Sequence, residues 1–323
     1  MKKKDYNWSL LTIVMMAMLS LGLSSCGGDD DDAGGGSAPT SAGVLDKDSN
    51  KRVKSIGNYN FYYNDNGQIN YITEGNTRYD FSYNPNKIVQ THRGEEEAVY
   101  TISYNGLGFI THLDAQMEFQ EDGKVHITGS STLSYDGTGH LISIKSSSTQ
   151  NYQGKTKTTT VTATMTWQNS KLMSTLWEES TQQDGQSTSY YTDTYNYEYA
   201  HEINDYHNKH HQYAPSLEGV YGDEPTDAFA FVKLLGYGPL YLPIQCVHTW
   251  DESTTRAADS GSTTKRFSYG FNDDGSISYC TVNNNRYNYS YESLSTETRS
   301  TMPKDINSRR RYLLLFFSTH ERN

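Results

Sequence analysis

"FYYNDNGQINYITEGNTRYDFSYN", residues 61 to 84, carries the same signature at both ends: an aromatic, one residue, then a tyrosine followed by an asparagine. Between the copies, Asn64-Asp65-Asn66-Gly67 offers a turn whose glycine can adopt the left-handed conformation, and Ile69 begins a second strand. The unit is a β-hairpin. It recurs as Phe81-Ser82-Tyr83-Asn84 with Ile88, as Ile102-Ser103-Tyr104-Asn105 with Gly108 and Ile110, and as Leu133-Ser134-Tyr135-Asp136 with Gly139 and Leu141. Met165-Thr166-Trp167 with Leu172 is a looser copy, and Tyr269-Gly270-Phe271-Asn272-Asp273-Asp274-Gly275 with Ile277 a late one. A chain that restarts in this way is a meander of antiparallel strands.

Alternation within the strands agrees. Val161, Ala163, Met165 and Trp167 fall on one face and Thr160, Thr162, Thr164 and Thr166 on the other, while Tyr195, Tyr197, Tyr199 and Tyr287, Tyr289, Tyr291 repeat the period of two. Counting turns gives about ten to fourteen strands, a sheet long enough that it curls or closes to protect its edges. The expected fold is all-β: an antiparallel meander curling into a barrel-like or strongly curved sheet, its interior filled by aromatics. One short helix breaks the pattern. Asp223-Glu224-Pro225-Thr226-Asp227 precedes apolar residues at helical spacing from Ala228 to Leu235, and Gly236 supplies a stop. Its expected place is over an open edge or end of the sheet, or lining a functional mouth.

Composition restricts the partners. Mean hydropathy is −0.77 and 20% of residues are charged, so a core forms only if apolar side chains keep strict periodicity. The 27 tyrosines suit a pleated, half-buried surface on which the ring packs and the hydroxyl stays wet. A net charge of −11 argues against nucleic acid, and Arg309-Arg310-Arg311 is an isolated basic run.

The first residues read as an address. Lys2, Lys3 and Lys4 precede an apolar stretch from Leu10 to Leu23, closed by Leu23-Ser24-Ser25-Cys26. This resembles the lipobox of bacterial lipoproteins, which implies removal of residues 1–25 and a diacylglycerol anchor, with palmitate, on Cys26. The following Gly27-Gly28-Asp29-Asp30-Asp31-Asp32 is similar to the acidic run that carries lipoproteins of some Gram-negative bacteria to the outer face of the outer membrane. The bland alternative is a solvated linker, and four adjacent carboxylates keep such a segment extended in either case. Residues 26–51 form a lipidated acidic and Gly-rich tether with a mean reach of about 25 to 30 Å. Residues 52–291 make the β domain, and residues 292–323 a tail outside it.

Further along, the residues carry a family resemblance. Val53-Lys54-Ser55-Ile56 leading into Phe61 to Gly67, then Tyr79-Asp80-Phe81-Ser82-Tyr83, and later Leu234-Leu235-Gly236-Tyr237-Gly238 with Leu242-Pro243, look like the lipoprotein domain family described as having a porin-like fold. The resemblance implies a barrel-like antiparallel fold and brings no assigned activity, so no functional residue is carried over. A pore does not follow. A transmembrane barrel needs an outward apolar band, whereas the faces opposite the aromatic stripe are Thr, Ser, Asn and Lys. The tail departs from the pattern: Tyr312-Leu313-Leu314-Leu315-Phe316-Phe317 fits a buried strand or helix, a patch for a partner, or the product of a shifted reading frame.

Candidate chemistry is sparse. His201, His207, His210 and His211, with Glu202 and Asp205, are the densest set of potential metal ligands, but they lack the HExxH spacing or paired cysteines of a zinc site, and a solvated loop is the expected reading. Cys246 and Cys280 would lie on strands separated by one other, about 9.5 Å apart and beyond the roughly 7 Å a disulfide closes, so two buried thiols are expected. There is no GxSxG elbow, and Glu95-Glu96-Glu97 and Glu178-Glu179 read as wet surface acids. No cofactor, metal or catalytic residue is assigned. The expected function is a surface-tethered binding module for a glycan or a protein ligand, with Trp177, Trp250 and Tyr237 as candidate ligand-binding rings near strand ends. The alternative is a structural or assembly component of the cell envelope. A hydrolase comes third and requires two carboxylates converging in a cleft.

Overall fold

The computed structural model describes residues 51–121, 123–184, 186–200, 206–220, 226–254 and 258–294. Sixteen antiparallel strands close into a barrel, each bonded to its sequence neighbours and the first to the last. They are β1 (Lys51–Ile56), β2 (Tyr59–Tyr63), β3 (Ile69–Glu74), β4 (Thr77–Tyr83), β5 (Asn86–His92), β6 (Glu95–Tyr104), β7 (Ile110–Glu121) and β8 (Gly123–Tyr135). The second half comprises β9 (Leu141–Tyr152), β10 (Lys155–Gln168), β11 (Lys171–Gln183), β12 (Gln186–Glu198), β13 (Gln245–Thr254), β14 (Ala258–Phe271), β15 (Ile277–Val282) and β16 (Asn285–Ser293). The turn count underestimated the sheet, because strands such as β1 and β13 are flanked by no copy of the aromatic–Tyr–Asn turn. Arg52 helps hold that seam through a 2.5 Å ion pair to Glu292.

The repeat that opens the sequence has a structural cause. In the turns at Asn64, Asn105 and Asp136, the side-chain oxygen accepts backbone N–H groups two and four residues ahead, at 2.8 to 3.0 Å. Gly67, Gly108, Gly139 and Gly275 occupy the same turn position with φ between 79° and 89°, a region that a side chain disfavours. A ring at or near the end of β4, β8, β12 and β16 locks that strand to the start of the one before it. Tyr83 donates its hydroxyl to the Ile69 carbonyl at 2.6 Å, Tyr135 to Ile110 at 2.6 Å, Tyr199 to Leu172 at 2.7 Å and Tyr291 to Ile277 at 2.5 Å. Trp167 plays the same part with its indole N–H on the Leu141 carbonyl at 2.8 Å, which explains the looser copy. Each ring is inward and its polar tip is satisfied, as burial of a phenol requires.

These turns, the start of β1, the end of β16 and the connection from β12 to β13 all lie at one end of the barrel. That connection turns into the lumen. A sixteen-stranded barrel is too wide for its own side chains to fill, and residues 206–220 and 226–244 fill this end instead. Tyr213, Ala214, Leu217, Val220, Ala228, Phe229, Ala230, Val232, Leu234, Leu235 and Leu242 are all 1% exposed or less. The plug touches the wall on every side. Phe231 meets Tyr59 of β2, Phe229 meets Tyr79 and Phe81 of β4, Gly219 accepts from Trp177 of β11, and the Tyr213 carbonyl accepts from Tyr289 of β16.

The expected helix is present as α1 (Thr226–Phe231), preceded by a 3-10 segment, Pro215–Val220. Of the expected places it takes the end and not an edge: a closed sheet has no edge to cover, and a helix apolar on all sides, as Ala228-Phe229-Ala230-Phe231 is, belongs inside. The outer face of the wall is polar. Along β10 the outward residues are Thr158, Thr160, Thr162, Thr164 and Thr166, against inward Thr159, Val161, Ala163, Met165 and Trp167. Among the described residues no helix is long and apolar enough to cross a membrane.

Candidate functional site

Strands β7 to β14 are 10 to 14 residues long, whereas β1 to β5 have 5 to 7, so one side of the barrel stands taller than the other. Along the tall side the inward positions change chemistry with height, although the period of two never breaks. On β10 the series from the plugged end is Met165, Ala163, Val161, Thr159, Lys157; on β11 it is Thr175, Trp177, Glu179, Thr181. On β12 it runs Tyr197, Tyr195, Asp193, Tyr191, and on β13 Cys246, His248, Trp250, Glu252. The lower members pack on the plug, and the upper members form a polar wall toward the free rim.

Cross-strand register sets the geometry of that wall. Glu179 pairs with Tyr191, and Tyr191 with Glu252, so a tyrosine stands between two glutamates on one row. One row down, Asp193 stands between Trp177 and Trp250. Asp193 is buried and accepts hydrogen bonds from the Tyr191 hydroxyl at 3.0 Å and from His248 Nε2. The His248 ring is stacked on Tyr195, centroids 4.3 Å apart, and tilted against Trp250 at 5.4 Å. Glu179 accepts from the Thr181 hydroxyl at 3.2 Å, and Thr181 lies 3.2 Å from Thr159.

Burial raises the Glu179 carboxyl above its ordinary range. The Thr181 hydrogen bond and Lys157 oppose that rise, and the charges of Asp193 and Glu252 add to it. Burial likewise lowers Lys157. The Tyr191 phenol is pushed far up by burial and by Asp193, so it stays neutral and donates. The wall therefore combines a carboxyl inclined to hold its proton, a carboxylate fixed by two donors, and aromatic faces. On the low side of the same rim, a groove of about 580 Å³ runs between the first hairpin turns, lined by Asn58, Asn60, Glu74, Asn76, Thr77 and His92.

The three candidate rings are not brought together. Trp177 is in the middle of β11 and not near a strand end; it is 5% exposed and its indole N–H donates to the Gly219 carbonyl at 2.5 Å, making it a strut between wall and plug. Trp250 is half-buried on the polar wall, its ring flat against Gly261, where a Cβ would fall 2.1 Å from the indole. Tyr237, 37% exposed, sits at the plugged end, edge-on to Phe109 at 5.1 Å.

The remaining candidates disperse. His210 reaches the Asp274 carbonyl at 3.0 Å, His211 the Gly238 carbonyl at 3.0 Å, and His207 lies against Tyr241, so the three rings hold different parts of the plug; burial lowers the His211 pKa. His201, Glu202 and Asp205 lie outside the described residues, as do Cys26, Asp29, Asp30, Asp31, Asp32 and the Leu313 to Phe317 run. Cys246 and Cys280 are buried thiols outside any disulfide, separated by β14, and burial pushes the Cys280 thiol up to about 12. Of the paired acids, Glu178 faces outward and accepts from Tyr190, whereas Glu179 faces inward. Glu95, Glu96 and Glu97 stay at the surface of β6, with Gln90 donating to Glu97. Sequence reasoning missed Asp193, Tyr191, His248 and Glu252; carrying the alternation of Tyr195 and Tyr197 back to Asp193 and Tyr191 would have found half of them.

No family model matches the chain, and no curated protein matches it. Among solved structures it is similar to the crystal structure of a porin-like protein from Bacteroides uniformis, with a TM-score of 0.41 and 17% identity over 72% of this chain and 89% of that one.

Proposed function

We propose that the protein is a binding module held by a lipid on Cys26 at the outer face of the outer membrane, and that its ligand is a glycan taken at the free rim of the barrel. The observation that carries this reading is the inner wall of β10 to β13 above the plug, where Trp250 and Tyr191 alternate with Glu179, Asp193 and Glu252. Sugars are held by this combination: a ring face for the C–H side of the pyranose and carboxylates for its hydroxyls. The topology supports the orientation. The tether joins β1 at the plugged end, where β16 also ends, and the wall stands at the opposite end. The polar outer face of β10 suits a barrel in water and not one in lipid.

Two experiments test the reading. The full chain, purified in detergent, is applied to an array of host and plant glycans; binding that Trp250→Ala abolishes supports it, and silence across the array transfers the case to an assembly role in the envelope. Protease added to intact cells should cleave the domain. Protection of the domain there overturns the exterior placement.

A further inference from the structure

The polar wall gathers more acids than bases, and burial together with the charges of Asp193 and Glu252 holds Glu179 toward its protonated form until a cation binds. Three carboxylates, Glu179, Asp193 and Glu252, face inward on two adjacent rows of β11, β12 and β13. Against them stand Lys157, which acts on Glu179 through its field, and His248, which is already held by Asp193. Glu252 makes no hydrogen bond or ion pair with the described residues. Its carboxylate and that of Glu179 flank the Tyr191 ring from neighbouring strands.

The rings are fixed independently of the acids. Gly261 exists at a position where any side chain would collide with Trp250, so the indole is pinned flat against the backbone of β14. Tyr191 is anchored by its hydroxyl on Asp193 at 3.0 Å. On the same row as Glu179, beyond Val161, the buried Ser146 hydroxyl has no partner, so the row holds hydrogen-bonding capacity that the protein leaves unused. Carboxylates interleaved with immobilised aromatic faces suit an ammonium group, which gains from charge-assisted hydrogen bonds and from the ring quadrupole together. A neutral acetamido group offers a carboxylate a single N–H and brings no positive charge to the rings, so it gains less.

Resting on the glycan-binding reading above, we infer that this wall selects glycans bearing a free amino group, with the ammonium between Glu179 and Glu252 over the Tyr191 ring and the pyranose against Trp250. Calorimetric titration of the full chain in detergent with a glucosamine tetramer, and with its fully N-acetylated counterpart, at a pH where the amine is protonated, tests it. The free-amine oligomer should bind at least about 10-fold more tightly, the effect of a single well-placed ionic contact. Glu252→Gln, at a half-exposed position whose folding is checked by circular dichroism, should reduce that ratio toward unity. Equal or tighter binding of the N-acetylated oligomer overturns the inference and leaves the glycan reading standing. Absence of binding by either oligomer and by every glycan on the array overturns both. A preference that survives Glu179→Gln and Glu252→Gln together removes it from this wall.

Discussion

Against the plug, β2, β4 and β16 turn Tyr59, Tyr79 and Tyr289 inward onto Phe231, Phe229 and the Tyr213 carbonyl; at the free rim of the tall side, β11, β12 and β13 turn Glu179, Tyr191 and Glu252 inward toward one another. Both regions are inner faces of the same sheet, and both obey the same alternation. They differ in what lies opposite. Where the plug fills the lumen, an inward residue is a core residue, and the Tyr213, Tyr269 and Tyr289 hydroxyls are matched to carbonyls. Above the plug, an inward residue faces the rim, and carboxylates are tolerated there at the cost of perturbed protonation. Inward is thus a direction set by the strand, whereas buried is a condition set by the plug.

The contrast can be broken hardest at Phe229. Phe229→Ala removes a ring that is 0% exposed and meets both Tyr79 and Phe81, and should cost about 3 to 5 kcal/mol in denaturant unfolding. A loss under 1 kcal/mol would show that the plug contributes little to the wall. Next comes Gly219→Ala, which puts a Cβ 2.2 Å from the Tyr195 ring on the boundary between the two regions; overpacking of this kind costs about 1 to 3 kcal/mol. Because Tyr195 also stacks on His248, the substitution should disturb the polar wall as well, read as a change in Trp fluorescence.

Tyr135→Phe leaves the Ile110 carbonyl without the hydroxyl that repeats through the hairpins, and a loss of about 1 to 3 kcal/mol is expected. Glu179→Gln sharpens the comparison from the other side, with a smaller effect of opposite sign. Its folded pKa is raised by burial, so the cost to stability is absent below the unfolded carboxyl range, grows as pH rises from there to the folded value, and is full above it. The melting temperature of the variant should therefore exceed that of the parent at neutral pH, the gain disappearing on acidification; an unchanged difference across the titration would refute buried strain at Glu179. Smallest of all, Thr162→Ser on the outer face of β10 should shift stability by no more than about 0.5 kcal/mol.

Much of the architecture was legible because it is repetitive. Tyr–Asn followed by glycine, then an isoleucine or leucine, encodes a turn, a ring lock and the start of a strand within a few residues, and each copy can be recognised without the others. The strand count fell short because β1 and β13 are flanked by no copy of that unit, and closure escaped because β1 pairs with β16 across the whole chain, a contact with no local signature. The candidate rings fared unevenly for a related reason. Trp177, Trp250 and Tyr237 are alike in sequence, and only their heights on the wall separate a strut, a pinned platform and an exposed edge.

By itself the sequence determined the hairpin, its turn chemistry, the side of each strand that faces inward and the all-β class, since all of these rest on φ, side-chain period and hydrogen bonds between residues close in the chain. Closure, the number of strands, the passage of α1 into the lumen and the meeting of Glu179, Tyr191, Asp193 and Glu252 were decided only by tertiary structure. The physical reason is that a wide barrel must fill its lumen, and which segment fills it, and to what height, depends on the sum of all the walls at once.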